Sequence, residues 1–221
     1  MEEITSLKIT GYDGELLKNT FFKPEIPQQG LALLFPGQGY TCAMPLLYYP
    51  TRLLIASGVA VLWVEYNYTQ KDAYPSLSSQ ERLHWIAHDA SAAVQAARSH
   101  APHPRSRSIL IGKSLGSFAL AHLALNEPDL KTSSFVWLTP LVRNPFVQQA
   151  FAEAAPRSLL ILGDADPHYD AEQLERARQS SGAQVLLIPR ATHSLEVPGD
   201  IPATLLAMKM ALDAVSAFWE G

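Results

Sequence analysis

Three residues of this 221-residue chain have the types and placement for acyl chemistry: Ser114, Asp166 and His193. Ser114 is the middle of Gly112-Lys113-Ser114-Leu115-Gly116, a Gly-x-Ser-x-Gly pentapeptide. A serine hydroxyl is a weak nucleophile near neutral pH and needs a base within hydrogen-bond reach. Histidine suits that task because its ordinary pKa lies close to working pH. An acid must then fix the imidazole tautomer and stabilise the imidazolium. The chain supplies serine, acid and histidine in that order, each just past an apolar run.

The pentapeptide has meaning only in context. It follows Ile109-Leu110-Ile111, of the length and type of a buried strand, and leads into Phe118-Ala119-Leu120-Ala121-His122-Leu123-Ala124-Leu125, which reads as helix. A tight turn there would hold the Ser114 hydroxyl clear of the backbone, facing the free N–H groups and positive end of the helix. Gly112-Lys113-Ser114 also looks like the end of a phosphate loop. That motif needs a glycine five positions earlier, where this chain has Arg107, so the phosphate-loop reading fails.

Stepping outward, Leu7–Thr10 and Leu16–Phe22 flank the turn Gly11-Tyr12-Asp13-Gly14 and predict an antiparallel hairpin at a sheet edge, closed by Pro24 and Pro27. Apolar runs predict strands at Leu31–Phe35, Val59–Tyr66, Ile109–Ile111, Ser134–Leu138, Ser158–Leu162 and Ala183–Ile188. Helices are expected at Pro45–Ser57, Gln80–Arg98, after Ser114, at Pro145–Ala154, Ala171–Gln179 and Pro202–Trp219. Pro102 and Pro104 are expected to break the long helix, and residues 67–79 to form a polar loop. Strand and helix alternate from Leu31 onward, which argues an α/β fold with a mainly parallel sheet and helices on both faces. Ligands of such sheets bind beyond the carboxyl ends of the strands. Gly37-Gln38-Gly39, Ser114, Asp166 and His193 all fall there.

Composition sets the remaining bounds. With 48% hydrophobic residues the chain can bury a large core, and residues 1–221 read as one domain with no linker, repeat or lid insertion. The formal net charge of −4 offers no footprint for nucleic acid. The single cysteine, Cys42, excludes an internal disulfide framework and a cysteine-rich metal site. No signal peptide and no membrane span are expected, so the reading is cytoplasmic; the oligomeric state is not legible.

Taken together, Phe35-Pro36-Gly37-Gln38-Gly39, Gly112-Lys113-Ser114-Leu115-Gly116 and the pair Gly163-Asp164-Ala165-Asp166 with Ala191-Thr192-His193-Ser194 resemble the α/β-hydrolase family. Within it the chain is similar to small, lidless, dienelactone-hydrolase-like serine hydrolases. The resemblance covers nearly the whole chain. It implies a serine esterase-like enzyme without metal or organic cofactor, acting on a small-molecule acyl substrate. It implies that the N–H of Leu115 forms one half of an oxyanion hole, with Gln38 or Gly39 as the other half. The first motif is usually His-Gly in the family; here Pro36 replaces the histidine. The family spacing of glycine followed three positions later by the acid selects Asp166, leaving Asp164 as a turn-capping residue and Asp170 as a helix N-cap.

Six other histidines compete with His193. His84 and His88 lie four apart on a predicted helix, but without a His-Glu-x-x-His pattern they read as a solvated face. His100 and His103 fall in a Pro-rich loop, His122 sits on the elbow helix, and His168 shares a loop with the acid and reads as a rim residue. Lys113 has two readings: a stem packed along the sheet with its ammonium near water, or an electropositive element favouring an anionic substrate. Glu65 either pairs with Lys113 or lines the pocket, and Cys42 reads as a small packed residue. Tyr40, Tyr48, Tyr49, Tyr66, Tyr68 and Trp137 are candidates for an acyl pocket. Two further uses of the same residues stay open: a binding module with little turnover, and acyl transfer or peptidase activity.

Overall fold

A computed structural model describes the chain except Met1, Pro27, Asn67, Thr69, Gln70, Asp72, residues 101–106 and Ala155. The expected break at Pro102 and Pro104, the loop residue His103, and the roles given to Pro27 and Asn67 lie outside the described residues. The strands are β1 (Glu3–Thr5), β2 (Lys18–Lys23), β3 (Gly30–Phe35), β4 (Val59–Glu65), β5 (Arg107–Lys113), β6 (Ser134–Leu138), β7 (Arg157–Gly163) and β8 (Gln184–Ile188). The helices are α1 (Pro45–Ala56), α2 (Ser79–Arg98), α3 (Gly116–Asn126), α4 (Pro145–Gln149), α5 (Ala171–Ser181) and α6 (Ile201–Glu220). A π-helical turn, Ala150–Ala154, extends α4.

The strands form an eight-stranded sheet in the order β1-β2-β4-β3-β5-β6-β7-β8. β1 and β2 are antiparallel, β2 runs antiparallel to β4, and from β4 to β8 all neighbours are parallel. β3 lies between β4 and β5, so the winding direction reverses there and opens a crevice at the carboxyl ends of β3 and β5. The alternating pleat sends side chains to two cores. Leu33, Phe35 and Leu110 face α2, α3 and α5, while Leu34, Ile109 and Ile111 face α1 and α6.

The N-terminal hairpin differs from expectation in its strands. The first strand is Glu3–Thr5, paired in register with Phe21–Lys23. Residues 7–10 do not extend it as a ladder, because the Asn19 carboxamide takes both the N–H and the C=O of Leu7 at 2.8 Å each. The turn that follows is clamped from α2, where the buried Asp89 carboxylate accepts Tyr12 N–H at 2.8 Å and the Tyr68 hydroxyl at 3.2 Å.

Local signals account for the helix ends. Ser78 and Glu81 form a reciprocal capping box at the start of α2. Asp170 caps α5 and Asp200 caps α6, accepting N–H groups of Gln173 and Ala203. By length and composition α6, with a mean hydropathy of 1.4, could cross a membrane. In the fold Ala207, Ala211, Val215, Phe218 and Trp219 pack into the core, while Ile201, Leu205 and Leu206 are exposed.

Candidate active site

Ser114 sits on a strained elbow between β5 and α3, with φ +50°. The elbow closes against β3: a Cβ on Gly116 would stand 2.2 Å from the Phe35 carbonyl oxygen. Glycine is therefore obligatory there by close approach, and the hydroxyl is left half-buried at the crevice. His193 Nε2 lies 2.8 Å from Ser114 Oγ, and His193 Nδ1 lies 2.8 Å from Asp166 Oδ2.

A carboxylate can only accept, so the neutral imidazole carries its proton on Nδ1 and presents the Nε2 lone pair to the Ser114 hydroxyl. The other Asp166 oxygen accepts His168 N–H at 2.8 Å, which locks the carboxylate in place. The Asp166 side chain is 1% exposed and the His193 side chain 27%. The acid is thus dry and the base reachable.

The neighbouring carboxylates have other work. Asp164 is exposed and accepts the N–H of Arg190, holding the turn after β8, and Asp170 caps α5. The His168 ring stands edge-on to His193 at 5.0 Å, at the rim. His84 and His88 flank the Tyr12 ring, His122 bonds Ser91 at 3.0 Å, and His100 lies against Phe21.

Among the described residues no acceptor is bonded to the N–H of Leu115, Gln38 or Gly39. Leu115 begins α3, so its free N–H belongs to the positive end of that helix. Two cavities meet at this point, sharing Gln38. One, of about 290 Å³, is lined by Gln38, Tyr40, Ser114, His193, Glu196 and Met208 among others. The second, of about 480 Å³, is lined by Leu115, Phe118, Tyr74, Arg82, Leu83 and Ile86 among others.

The expectations for Lys113 and Glu65 need correction, while Cys42 packs as expected. The Lys113 ammonium is not near water: the residue is 2% exposed. Its Nζ donates to Thr139 Oγ1 at 3.3 Å and to the His193 carbonyl at 3.1 Å, and lies 4.5 Å from the Tyr40 ring centroid. It is occupied within the protein rather than held out for an anionic substrate. Glu65 accepts the Cys42 N–H at 2.9 Å, and burial pulls its carboxyl upward. Cys42 is fully buried, and burial together with Glu65 pushes its thiol well up, so it is inert packing.

Of the candidate pocket aromatics, Tyr40 lines the smaller cavity. Tyr66 and Tyr68 stack in the core with Tyr74 beyond them, Trp137 is buried, and Tyr48 and Tyr49 are exposed on α1. Tyr74, Arg82, Leu83 and Ile86 were not anticipated in the site. They come from the short 3-10 turn Tyr74–Ser76 and the first turns of α2, and only the packing of α2 over the sheet brings them beside Gln38 and Leu115.

Comparison with solved structures decides the fold. Over 96% of this chain and 97% of the other, it superposes on the ferulic-acid complex of Est1E from Butyrivibrio proteoclasticus, with a TM-score of 0.73 at 15% identity. The fold is that of the α/β hydrolases. A dienelactone hydrolase from Anabaena variabilis matches with a TM-score of 0.66 at 23% identity, covering 96% of this chain and 95% of that one. A serine hydrolase without a lid from Xanthomonas campestris matches with a TM-score of 0.71 at 20% identity, covering 98% and 95%. No protein-family model and no curated protein sequence matches the chain. The α/β-hydrolase fold expected from the three motifs is therefore the one observed, and among the described residues no insertion forms a lid domain.

Proposed function

We propose that the protein is a serine hydrolase that cleaves a carboxylic ester or a similar acyl bond. The observation that carries this reading is the unbroken chain Ser114 Oγ–His193 Nε2–His193 Nδ1–Asp166 Oδ2, with 2.8 Å at each link.

Ser114 attacks the carbonyl carbon while His193 Nε2 takes its proton. The buried Asp166 carboxylate holds the ring and stabilises the imidazolium. The N–H of Leu115 and that of Gln38, or its neighbour Gly39, receive the oxyanion; one such donor is worth about 3 kcal/mol of barrier. Collapse expels the alcohol, protonated by His193, and leaves an acyl-enzyme. Water activated by the same histidine then releases the acid. No step calls on a metal or organic cofactor.

The 480 Å³ cavity, apolar along Leu83, Ile86, Leu115 and Phe118, takes the acyl group. The smaller cavity beside His193 takes the departing alcohol. Esterases among the structural neighbours support the same class.

Rapid mixing with p-nitrophenyl butyrate tests this directly. The account expects a burst of p-nitrophenol stoichiometric with enzyme or steady turnover, either one abolished in Ser114→Ala. Hydrolysis unchanged in Ser114→Ala would overturn it.

A further inference from the structure

We propose that Lys113 is a positioning residue for this reaction: its buried ammonium fixes the backbone of His193, whose ring must reach Ser114. The inference rests on the hydrolase reading above and adds a part to it. A buried ammonium is costly, and an apolar side chain of equal length would fill the same slot without that cost. The groups around Lys113 come from separate strand ends and belong to the site. Tyr40 follows β3, Thr139 follows β6, Asp166 follows β7, and His193 follows β8.

The contacts with Thr139, the His193 carbonyl and the Tyr40 ring match the three donors of an ammonium. The bond to the His193 carbonyl anchors the residue whose ring must reach Ser114. Thr139 itself is held at φ +43°, with its N–H on the Ile161 carbonyl at 2.7 Å, so its hydroxyl is fixed in direction. Of the charged groups, Asp166 acts on Lys113 through its charge, while the Tyr40 phenol, the His193 ring and the Glu196 carboxylate line the same cavity.

Burial pulls the Lys113 ammonium down to about 8, and the Asp166 charge acts against that pull. Above that pH the neutral amine has two donors for three contacts, so the anchor on the His193 carbonyl loosens. A purely structural lysine would leave the basic limb of a pH profile independent of it.

The test uses the intact protein carrying lysine labelled with ¹³C at Cε, titrated by NMR, together with kcat/KM against pH for a p-nitrophenyl ester. In the wild type Lys113 should titrate near 8, and in Asp166→Asn its midpoint should fall because the negative charge that favours its protonated form is gone. Lys113→Met should lower kcat about tenfold with KM within about twofold. It should also abolish the basic limb near pH 8. If Lys113→Met fails to fold, Thr139→Val replaces it; removing one acceptor should lower the Lys113 midpoint and draw the basic limb down with it. A Lys113 midpoint unmoved in Asp166→Asn, or a variant with the basic limb at the wild-type position, overturns the proposal. Wild type that hydrolyses no ester would sink the hydrolase reading itself, and the NMR titration would then decide only whether the Lys113 ammonium responds to Asp166.

Discussion

The carboxylate of Asp166 is divided between two partners: one oxygen meets His193 Nδ1 at 2.8 Å and the other accepts the His168 N–H at 2.8 Å. Asp164, two residues earlier on the same loop, faces solvent and holds the Arg190 turn. The two substitutions therefore separate cleanly. Asp166→Asn should lower kcat about a thousandfold or more, because an amide turns the imidazole to the wrong tautomer. Asp164→Asn should stay within about threefold. Equal losses from the two, measured under the same conditions, would mean that the acid is misassigned.

The path of the His193 loop depends on a close approach at the end of β7. A Cβ on Gly163 would fall 1.9 Å from the Ala191 carbonyl oxygen, two residues before His193. Gly163→Ala must push that loop away, at a cost on the order of 3 kcal/mol. Urea denaturation should show the lost stability, and folded enzyme should show a further loss of kcat. A variant with the wild-type midpoint and wild-type kcat would contradict the packing described here.

Lys113 has a consequence for stability opposite in sign to its consequence for activity. Its pKa is about 8 when folded, against an ordinary lysine value of 10.5. Between those values the unfolded chain holds more protons than the folded one, so the stability of the wild type should rise with pH across that window. Below pH 8 the buried charge costs up to about 3 kcal/mol, offset in part by its hydrogen bonds. Lys113→Met at pH 7 should accordingly melt no lower than wild type while turning over more slowly. A clear fall in melting temperature at pH 7 would show that the contacts outweigh the desolvation.

The larger cavity gives a prediction about substrate. Leu83 lines it from a half-buried position on α2. Leu83→Trp should lower kcat/KM for hexanoyl and longer esters about tenfold while leaving acetyl esters within about twofold, a difference in the usual range for a filled apolar pocket. A chain-length profile identical to that of the wild type would place the acyl group elsewhere.

What could be read in advance follows from where the information lies. The strand ends were legible because glycine and ionisable residues punctuate apolar runs, and Gly112-Lys113-Ser114-Leu115-Gly116 combines both signals locally. Helix α2 announced itself by its apolar spacing, while its capping box of Ser78 and Glu81 came to light only in the structure. The edge strand Glu3–Thr5 did not, because it is short, exposed and carries no apolar alternation. The walls of the larger cavity were also hidden. Tyr74 and Arg82 look like loop and surface residues until α2 is laid across the sheet, a tertiary event without a local pattern. Lys113 was ambiguous for the same reason: only the convergence of Tyr40, Thr139 and His193 shows why a lysine is buried there.

The central claim is that Ser114 is activated by His193 beside preorganised oxyanion donors. Intact-mass analysis after treatment with a fluorophosphonate tests it most directly, since such a probe bonds a serine only where a base and an oxyanion hole activate it. The account predicts one adduct per chain on the wild type and none on Ser114→Ala. An unlabelled, well-folded wild type, or a Ser114→Ala that still takes up one adduct, would contradict it.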